Sequence, residues 1–153
     1  MLNKAEIIKL VNNLNLPNYE YWVTAGAGLV LHEVKEFTHD IDIGCTTKVL
    51  DNLLKEGNPL SFTSDEVRST KCGEVTEFFE NWFADEVEMI DGICVASLLS
   101  IRKHKSFLGR GKDLRDIALI DDFIRDRKNN RNKISEEQHM TQKDLAEKTG
   151  LKH

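Results

Sequence analysis

The sequence has little of several features that mark specialised classes of protein. Only two of its 153 residues are proline and nine are glycine, which is too few for a fibrous or low-complexity chain. Its three cysteines, Cys45, Cys72 and Cys94, are far apart, and this fits reduced thiols better than a disulfide framework or a zinc site. No stretch approaches the roughly 18 apolar residues of a membrane span, and the polar N-terminus does not resemble a signal peptide. These absences predict a cytoplasmic protein with no membrane partner.

The remaining composition is that of an ordinary folded domain. Hydrophobic residues make up 40% of the chain and charged residues 31%, as in soluble globular proteins. The net charge of −5 at pH 7 argues against a general nucleic-acid binder. The length suits one compact domain with room for a small appendage.

Hydrophobic spacing predicts a mixture of strands and helices. Strands are expected at 21–23, 41–43, near 67, and at 75–79, 87–90 and 93–95. The first helix is expected to begin at Asn3, which can form a capping box with Glu6, and to end at Pro17. Further helices are expected at 29–34, from Thr46 or Thr47 to Gly57, at 97–107 and from 112 to about 124. The pattern predicts an α/β (α+β) fold in which helices pack on a small mixed sheet. We expect this domain to span residues 1–124.

Charge is distributed unevenly along the second half of the chain. Residues 72–91 contain seven acidic and no basic residues, whereas residues 101–115 contain six basic residues and one acidic residue. An acidic segment of sheet beside a basic helical segment could hold a metal ion and a polyphosphate. Two solvated faces that complement each other would give the same pattern.

Two carboxylates at alternate positions are the first candidate site. Asp40 and Asp42 would project from the same face of a strand, while Ile41 and Ile43 would point to the opposite, buried face. Two like charges this close repel unless a cation lies between them, and paired carboxylate oxygens suit Mg²⁺. A half-buried strand with a polar outer face is the alternative.

A run of small residues precedes these carboxylates. Ala25, Gly26, Ala27 and Gly28 lie between an apolar strand and the start of a helix, where a turn would let backbone N–H groups approach a phosphate. The run matches neither the dinucleotide-binding fingerprint nor the P-loop.

Two blocks of this sequence resemble the nucleotidyltransferase superfamily, which includes DNA polymerase β. The first block consists of the stretch from Gly28 to His32 followed by residues 37–43, and the second block is 105–117. Both are similar to the lincosamide-type and abortive-infection-toxin branches of the superfamily. The resemblance covers about residues 20–124. It departs from the family where Ala25-Gly26, or Gly26-Ala27, stands in place of Gly-Gly or Gly-Ser.

The resemblance implies transfer of a nucleoside monophosphate from a nucleoside triphosphate, with ATP the first expectation, to a hydroxyl or phosphate acceptor. It implies Mg²⁺ as cofactor, held by Asp40, Asp42 and a third carboxylate that completes the metal shell or acts as a base. Glu77 is the first choice for this third acid and Glu88 the second. The phosphate-binding residues would be Lys105, Arg110 and Lys112, together with the small-residue run 25–28.

The ion pairs of the basic block allow another interpretation. Asp113 and Asp116, one helical turn apart, are expected to orient the neighbouring basic side chains or to cap the helix. A purely structural network of ion pairs at a helix start is the alternative to phosphate binding. His32 is expected to pack or to orient a neighbour, and His39 to point away from the metal.

Residues 125–153 differ in character from the rest of the chain. We expect a basic linker from 125 to 133, followed by a segment, 140–153, that resembles the beginning of a truncated helix-turn-helix. The sequence ends before a recognition helix, so no specific DNA binding is expected. The acceptor stays open between an antibiotic, tRNA and a protein. A non-catalytic antitoxin or regulator that binds a partner toxin or antitoxin protein is the alternative function, and a DNA-associated regulator is a third.

Overall fold

The computed structural model describes residues 1–82 and 84–129. The chain divides into two compact units, Met1–Ile117 and Ala118–His153. The first unit contains the helices α1 (Lys4–Asn13), α2 (Ala25–Leu31), α3 (Thr47–Lys55) and α4 (Leu98–Leu108). A further helix, α5, begins at residue 111. The strands are β1 (Tyr21–Thr24), β2 (Ile41–Cys45), β3 (Leu60–Phe62), β4 (Arg68–Cys72), β5 (Thr76–Glu80), β6 (Val87–Ile90) and β7 (Ile93–Ala96).

The seven strands form one mixed sheet in the order β3-β4-β5-β2-β1-β7-β6. The pairs β2–β5 and β1–β7 are parallel and the others are antiparallel. This arrangement confirms the predicted mixed sheet with helices. The short β3 strand was not predicted, because three residues are too few to show a periodic pattern.

The helix boundaries follow local capping signals. Asn3 and Glu6 form the predicted capping box at the start of α1, and the side chain of Thr46 caps α3. Helix α4 starts after Ser97, whose side chain accepts from a backbone N–H of the first turn, and ends at Gly109, which is left-handed with φ of 63°. The expectation that Pro17 ends α1 was wrong, because the helix ends at Asn13.

Alternation along the strands creates a core face and a polar face. The side chains of Val23, Ile41, Ile43 and Phe78 are fully buried and belong to the main hydrophobic cluster. Asp42 lies between two of these buried isoleucines and is only partly buried. Because neighbouring residues of a strand point to opposite faces, the packing of the core directs Asp42 to the other face of the sheet.

Helix α2 corrects the prediction of a small-residue turn. It begins at Ala25, four residues before the predicted helix start at Leu29, so the run 25–28 is helical. A Cβ atom on Gly28 would lie 2.7 Å from Cδ1 of Ile101, and one on Gly26 would lie 2.8 Å from Oγ1 of Thr38. Glycine lowers helix propensity, but close packing requires it at these two positions.

The second unit is described as far as residue 129. Residues 118–129 are helical, and Asp122 forms an ion pair with Arg125. The helix therefore does not end near Ile124, as predicted, and residues 125–129 of the expected linker are helical. The segment that resembles a helix-turn-helix lies outside the described residues. No helix among residues 1–82 and 84–129 is long and apolar enough to cross a membrane.

Candidate active site

The register of two parallel strands places Asp42 beside Glu77. These residues are direct partners in the pairing of β2 with β5, and adjacent strands lie about 4.8 Å apart. Both residues are partly buried and flanked by buried neighbours, so their side chains share one face of the sheet. Asp40 lies just before β2 and is exposed. All three carboxylates line one cleft.

The cleft has a volume of about 690 Å³. Its walls carry carboxylates, basic groups and aromatic rings, together with other polar and aliphatic side chains. The residues that line it are Asp40, Asp42, Thr63, Ser64, Asp65, Val67, Glu77, Phe79, Asn81, Trp82, His104, Phe107, Leu108, Arg110 and Lys112. Of the ten residues predicted to act at the site, five are therefore brought together here.

The ionised carboxylate of Asp42 is held in an unfavourable environment. Burial, together with the negative charges of Glu77 and Asp40, raises the pKa of Asp42 to about 6, against the opposing influence of Lys105 and Lys112. A carboxylate surrounded by like charges is stabilised by a nearby cation. Asp42 is thus the point of the cleft at which a positive ion would gain most.

The donor set suits a hard cation that arrives with further ligands. Among the residues that the structure describes, no group of three His, Cys, Asp or Glu side chains is arranged to hold a metal ion. Mg²⁺ needs no such cage, because it is usually bound through one or two carboxylates and completes its shell with water and substrate phosphates. Asp42 with Asp40 or Glu77 supplies that number of carboxylates.

The predicted basic residues separate into two groups. Arg110 and Lys112 line the cleft. Lys105 does not line it, and its side chain is only 8% exposed. The Lys105 ammonium lies 2.9 Å from Oδ2 of Asp116 and 3.7 Å from Oδ1 of Asp113. A contact between Lys105 and phosphate stays a prediction. The ion pairs of Lys105 with the two aspartates are the kind expected from the alternative interpretation, a structural network of ion pairs at a helix start.

The two aspartates of α5 orient the basic groups around them. The Arg110 guanidinium donates from Nε to Asp113 Oδ2 at 2.6 Å and from Nη2 to Oδ1 at 3.2 Å. Burial opposes ionisation of Asp113, but the hydrogen bonds from Arg110 lower its pKa below the ordinary value. Asp116 also contacts Lys35 at 3.0 Å. These pairs connect the start of α5 to α4 and to Lys35.

The run of small residues has a packing role. Ala27 and Gly28 are buried in α2, and Ala25 takes a positive φ of 53° at the start of the helix. Its neighbour Thr24 is fully buried, and its hydroxyl has no hydrogen-bond partner within the described part of the chain. The proposed phosphate contacts of residues 25–28 stay a prediction.

The second choice for the third acid lies outside the cleft. Glu88 is exposed on β6, and its Oε1 lies 3.7 Å from Nδ1 of His32. The Nε2 atom of His32 lies 2.8 Å from the carbonyl oxygen of Ala96, so the ring links α2 to β7. The position of Glu88 favours Glu77 as the third acid.

The aromatic wall of the cleft was not found from the sequence. Trp82 stacks on Phe79 with ring centroids 4.0 Å apart, and His104 meets it at 4.5 Å with the rings nearly perpendicular. Burial lowers the pKa of His104 below its ordinary value. These residues are separated along the chain, and no local motif connects them.

A second cavity, of about 340 Å³, is bordered by residues from the end of α1, from α3 and from the end of β4. It is lined in part by Leu16, Lys48, Asn52 and Glu56. None of the predicted site residues borders it. Five of the predicted site residues therefore line the cleft, and none lines this cavity.

The fold of this chain is similar to that of solved structures. A Thermotoga maritima protein described as a candidate nucleotidyltransferase has a TM-score of 0.53 and 16% sequence identity, over 76% of this chain and 93% of its own. ANT(2″)-Ia, solved in complex with adenylyl-2″-tobramycin, has a TM-score of 0.49 and 15% identity, over 76% and 84% of the two chains. No family model and no curated protein matches the sequence.

The first of these likenesses identifies the fold. The chain has a nucleotidyltransferase-like α+β fold, as the sequence predicted. At 16% identity the likeness extends to the fold alone, so it supports the resemblance to the nucleotidyltransferase superfamily at that level. The lincosamide-type and abortive-infection branches stay a prediction.

Proposed function

We propose that this chain is a Mg²⁺-dependent nucleotidyltransferase that moves a nucleoside monophosphate from a nucleoside triphosphate, in the first instance ATP, to a hydroxyl or phosphate acceptor. The observation that carries the proposal is the direct pairing of Asp42 with Glu77 across β2 and β5, in a cleft that also contains Arg110 and Lys112. Carboxylates and basic groups in one cleft are what a metal-bound triphosphate requires. The fold shared with a protein described as a candidate nucleotidyltransferase supports the same conclusion.

The residues that would hold Mg²⁺ are Asp40, Asp42 and Glu77. The bound ion would shield the charge of the phosphates and align the reacting groups. The raised pKa of Asp42 supports this assignment, because the repulsion among the three carboxylates is relieved by positive charge.

The chain's own groups would bind the triphosphate and move one proton. The planar guanidinium of Arg110 and the ammonium of Lys112 bind its oxygens. With a hydroxyl acceptor, a Glu77 carboxylate oxygen accepts the hydroxyl proton while the hydroxyl oxygen attacks the α-phosphorus. The bond from the α-phosphorus to the bridging oxygen breaks, and pyrophosphate leaves.

The test uses nucleoside triphosphates labelled at the α-phosphate, with Mg²⁺ and pools of tRNA, proteins and small antibiotics. Glu77→Gln should reduce transfer at least about 100-fold, the scale of lost acid–base catalysis. The matched control is Glu88→Gln, which makes the same change on an exposed strand outside the cleft and should transfer at the wild-type rate.

Two results would contradict the proposal. Equal activities of the two glutamine variants would refute the role of Glu77. Wild-type protein that neither transfers the label nor binds Mg²⁺ and nucleotide together would refute the enzyme and favour the non-catalytic regulator that binds a partner protein.

A further inference from the structure

A single basic residue lies in the acidic part of the sequence that includes β5, β6 and β7. Between Arg68 and Arg102 the chain has seven acidic residues, one lysine and no arginine or histidine. The lysine is Lys71, which lies near the end of β4 and is exposed. Its position relative to the carboxylates of the cleft follows from the pairing of the strands.

The strand register places Lys71 beside Glu77. The two residues are direct partners in the antiparallel pairing of β4 with β5, and Glu77 is in turn the direct partner of Asp42 in β2. Direct partners share a face of the sheet, and in an antiparallel pair their Cβ atoms are about 4.5–5.5 Å apart. Asp42, Glu77 and Lys71 therefore form a row across three neighbouring strands, on the face of the sheet that carries the carboxylates.

A small cavity of about 80 Å³ is shared by Lys71 and the carboxylates. It is lined by Asp40, Asp42, Lys71, Glu74, Val75, Thr76 and Glu77. Arg110 and Lys112 line the larger cleft and not this cavity, whereas Lys71 lines this cavity and not the cleft. Glu74 lies in the exposed turn between β4 and β5. The three carboxylates of the candidate metal site are thus bordered by basic groups in two cavities, and Lys71 is the basic group of the smaller one.

The charges of this group favour a lysine beside Glu77. Asp40, Asp42 and Glu77 each carry one negative charge when ionised, so a Mg²⁺ ion leaves one of the three charges unbalanced. The ammonium of Lys71 balances it. While no cation is bound, an opposite-charge pair across two strands stabilises the sheet. Once a cation is bound, the same ammonium repels it.

We propose that Lys71 is the counter-charge of Glu77 and a positioning residue of the metal site. Its ammonium stabilises the ionised Glu77 carboxylate in the empty site, and it lowers the affinity of the three carboxylates for a free divalent ion. The inference rests on the proposed function and adds to it a control of metal binding. Mg²⁺ binds tightly when it arrives with the phosphates of a nucleotide, because their negative charge offsets the repulsion by Lys71.

The experiment titrates the full chain with Mn²⁺ and measures the free ion by electron paramagnetic resonance. Carboxylate sites that suit Mg²⁺ also suit Mn²⁺. Lys71→Met should bind Mn²⁺ about fivefold more tightly than the wild type, the effect of removing one charge about 8 Å from a divalent ion in water. Lys71→Arg, which keeps the charge, should bind Mn²⁺ as the wild type does.

Calorimetry with ATP and Mg²⁺ separates the effect of charge from damage to the site. The complex of Mg²⁺ with ATP is negative overall, so the loss of Lys71 should leave its affinity unchanged or lower it. A loss of structure around Glu77 would weaken the binding of both probes. The proposal requires tighter binding of the free ion alone.

The matched control is Lys55→Met, which removes the same charge elsewhere. Lys55 is exposed in the last turn of α3 and lines neither the cleft nor the small cavity. This variant should bind both probes as the wild type does, because salt screens charges at a distance. Circular dichroism would verify that each variant is folded.

The outcomes separate the inference from the function on which it rests. Unchanged or weaker binding of Mn²⁺ by Lys71→Met, or an equal gain in Lys71→Arg or Lys55→Met, would overturn the role of Lys71 and leave the nucleotidyltransferase proposal intact. Wild-type protein that binds neither Mn²⁺ nor ATP with Mg²⁺ would refute the proposed function and, with it, the role of Lys71.

Discussion

Replacing Asp42 with asparagine should make the metal-free protein more stable at neutral pH. Such a change usually destabilises a protein when the carboxylate makes favourable contacts. Asp42 is in the opposite situation, because burial and the charges of Glu77 and Asp40 raise its pKa. Asparagine keeps the shape of the side chain and removes the charge that the folded state disfavours.

The size of the effect follows from the pKa of Asp42. The shift from 3.8 to about 6 corresponds to about 3 kcal/mol at 1.36 kcal/mol per pKa unit. Because the folded state has the higher pKa, the penalty is absent below about pH 4, grows as the pH rises through 6, and is complete at neutral pH. For a chain of this size the corresponding gain in melting temperature is about 6–12 °C.

Thermal melts in EDTA at pH 7.5 and at pH 4 provide the assay. The Asp42→Asn variant should melt above the wild type at pH 7.5, and the difference should vanish at pH 4. Adding Mg²⁺ should raise the melting temperature of the wild type more than that of the variant. Glu88→Gln, which removes an exposed carboxylate elsewhere in the sheet, should change neither melt. An asparagine variant that melts at or below the wild-type temperature at pH 7.5 would refute the electrostatic reasoning.

Three further predictions concern the buried ion pairs and the C-terminal tail. Lys105→Met should lower the free energy of unfolding by about 3–5 kcal/mol in urea titrations, because the carboxylates of Asp113 and Asp116 lose a buried partner. A change below about 1 kcal/mol would contradict this prediction. Lys105→Arg, which keeps the positive charge, should keep most of the stability. Deleting residues 134–153 should leave the calorimetric affinity for Mg²⁺ and ATP unchanged, since the predicted site residues lie between 25 and 112. The full chain should show no sequence-specific DNA binding. A gel shift that survives competitor DNA at 200 mM salt would contradict this prediction, because the affinity of non-specific binding through several phosphate contacts falls by about 10³–10⁵ at that salt concentration.

The sequence predicts the carboxylates of the cleft because strand geometry is local. The alternation of Asp42 with buried isoleucines sets its face, and Glu77, a lone acid among apolar residues, lies on another buried strand. Only their pairing across β2 and β5 depends on tertiary structure. Local patterns indicated the two residues separately, and the resemblance to the nucleotidyltransferase superfamily implied that a third carboxylate lies near Asp40 and Asp42.

The remaining features depend on contacts that no local pattern encodes. Residues 25–28 have the composition of a turn, yet α2 contains them, and Gly28 lies close to Ile101 of α4. Lysine is usually a surface residue, yet Lys105 is buried because α5 brings Asp113 and Asp116 to it. In both cases the neighbour that determines the structure is a residue of another helix.

The charges of the cleft also determine how its ligands should interact. A triphosphate that approaches without a cation meets the carboxylates of Asp40, Asp42 and Glu77, and their repulsion opposes the attraction of Arg110 and Lys112. A cation alone finds two or three carboxylates but lacks the phosphate oxygens that would complete its shell. Each ligand therefore supplies what the other lacks, and each should strengthen the binding of the other by the same factor. The unfavourable environment of the ionised Asp42 carboxylate would be the physical origin of this coupling.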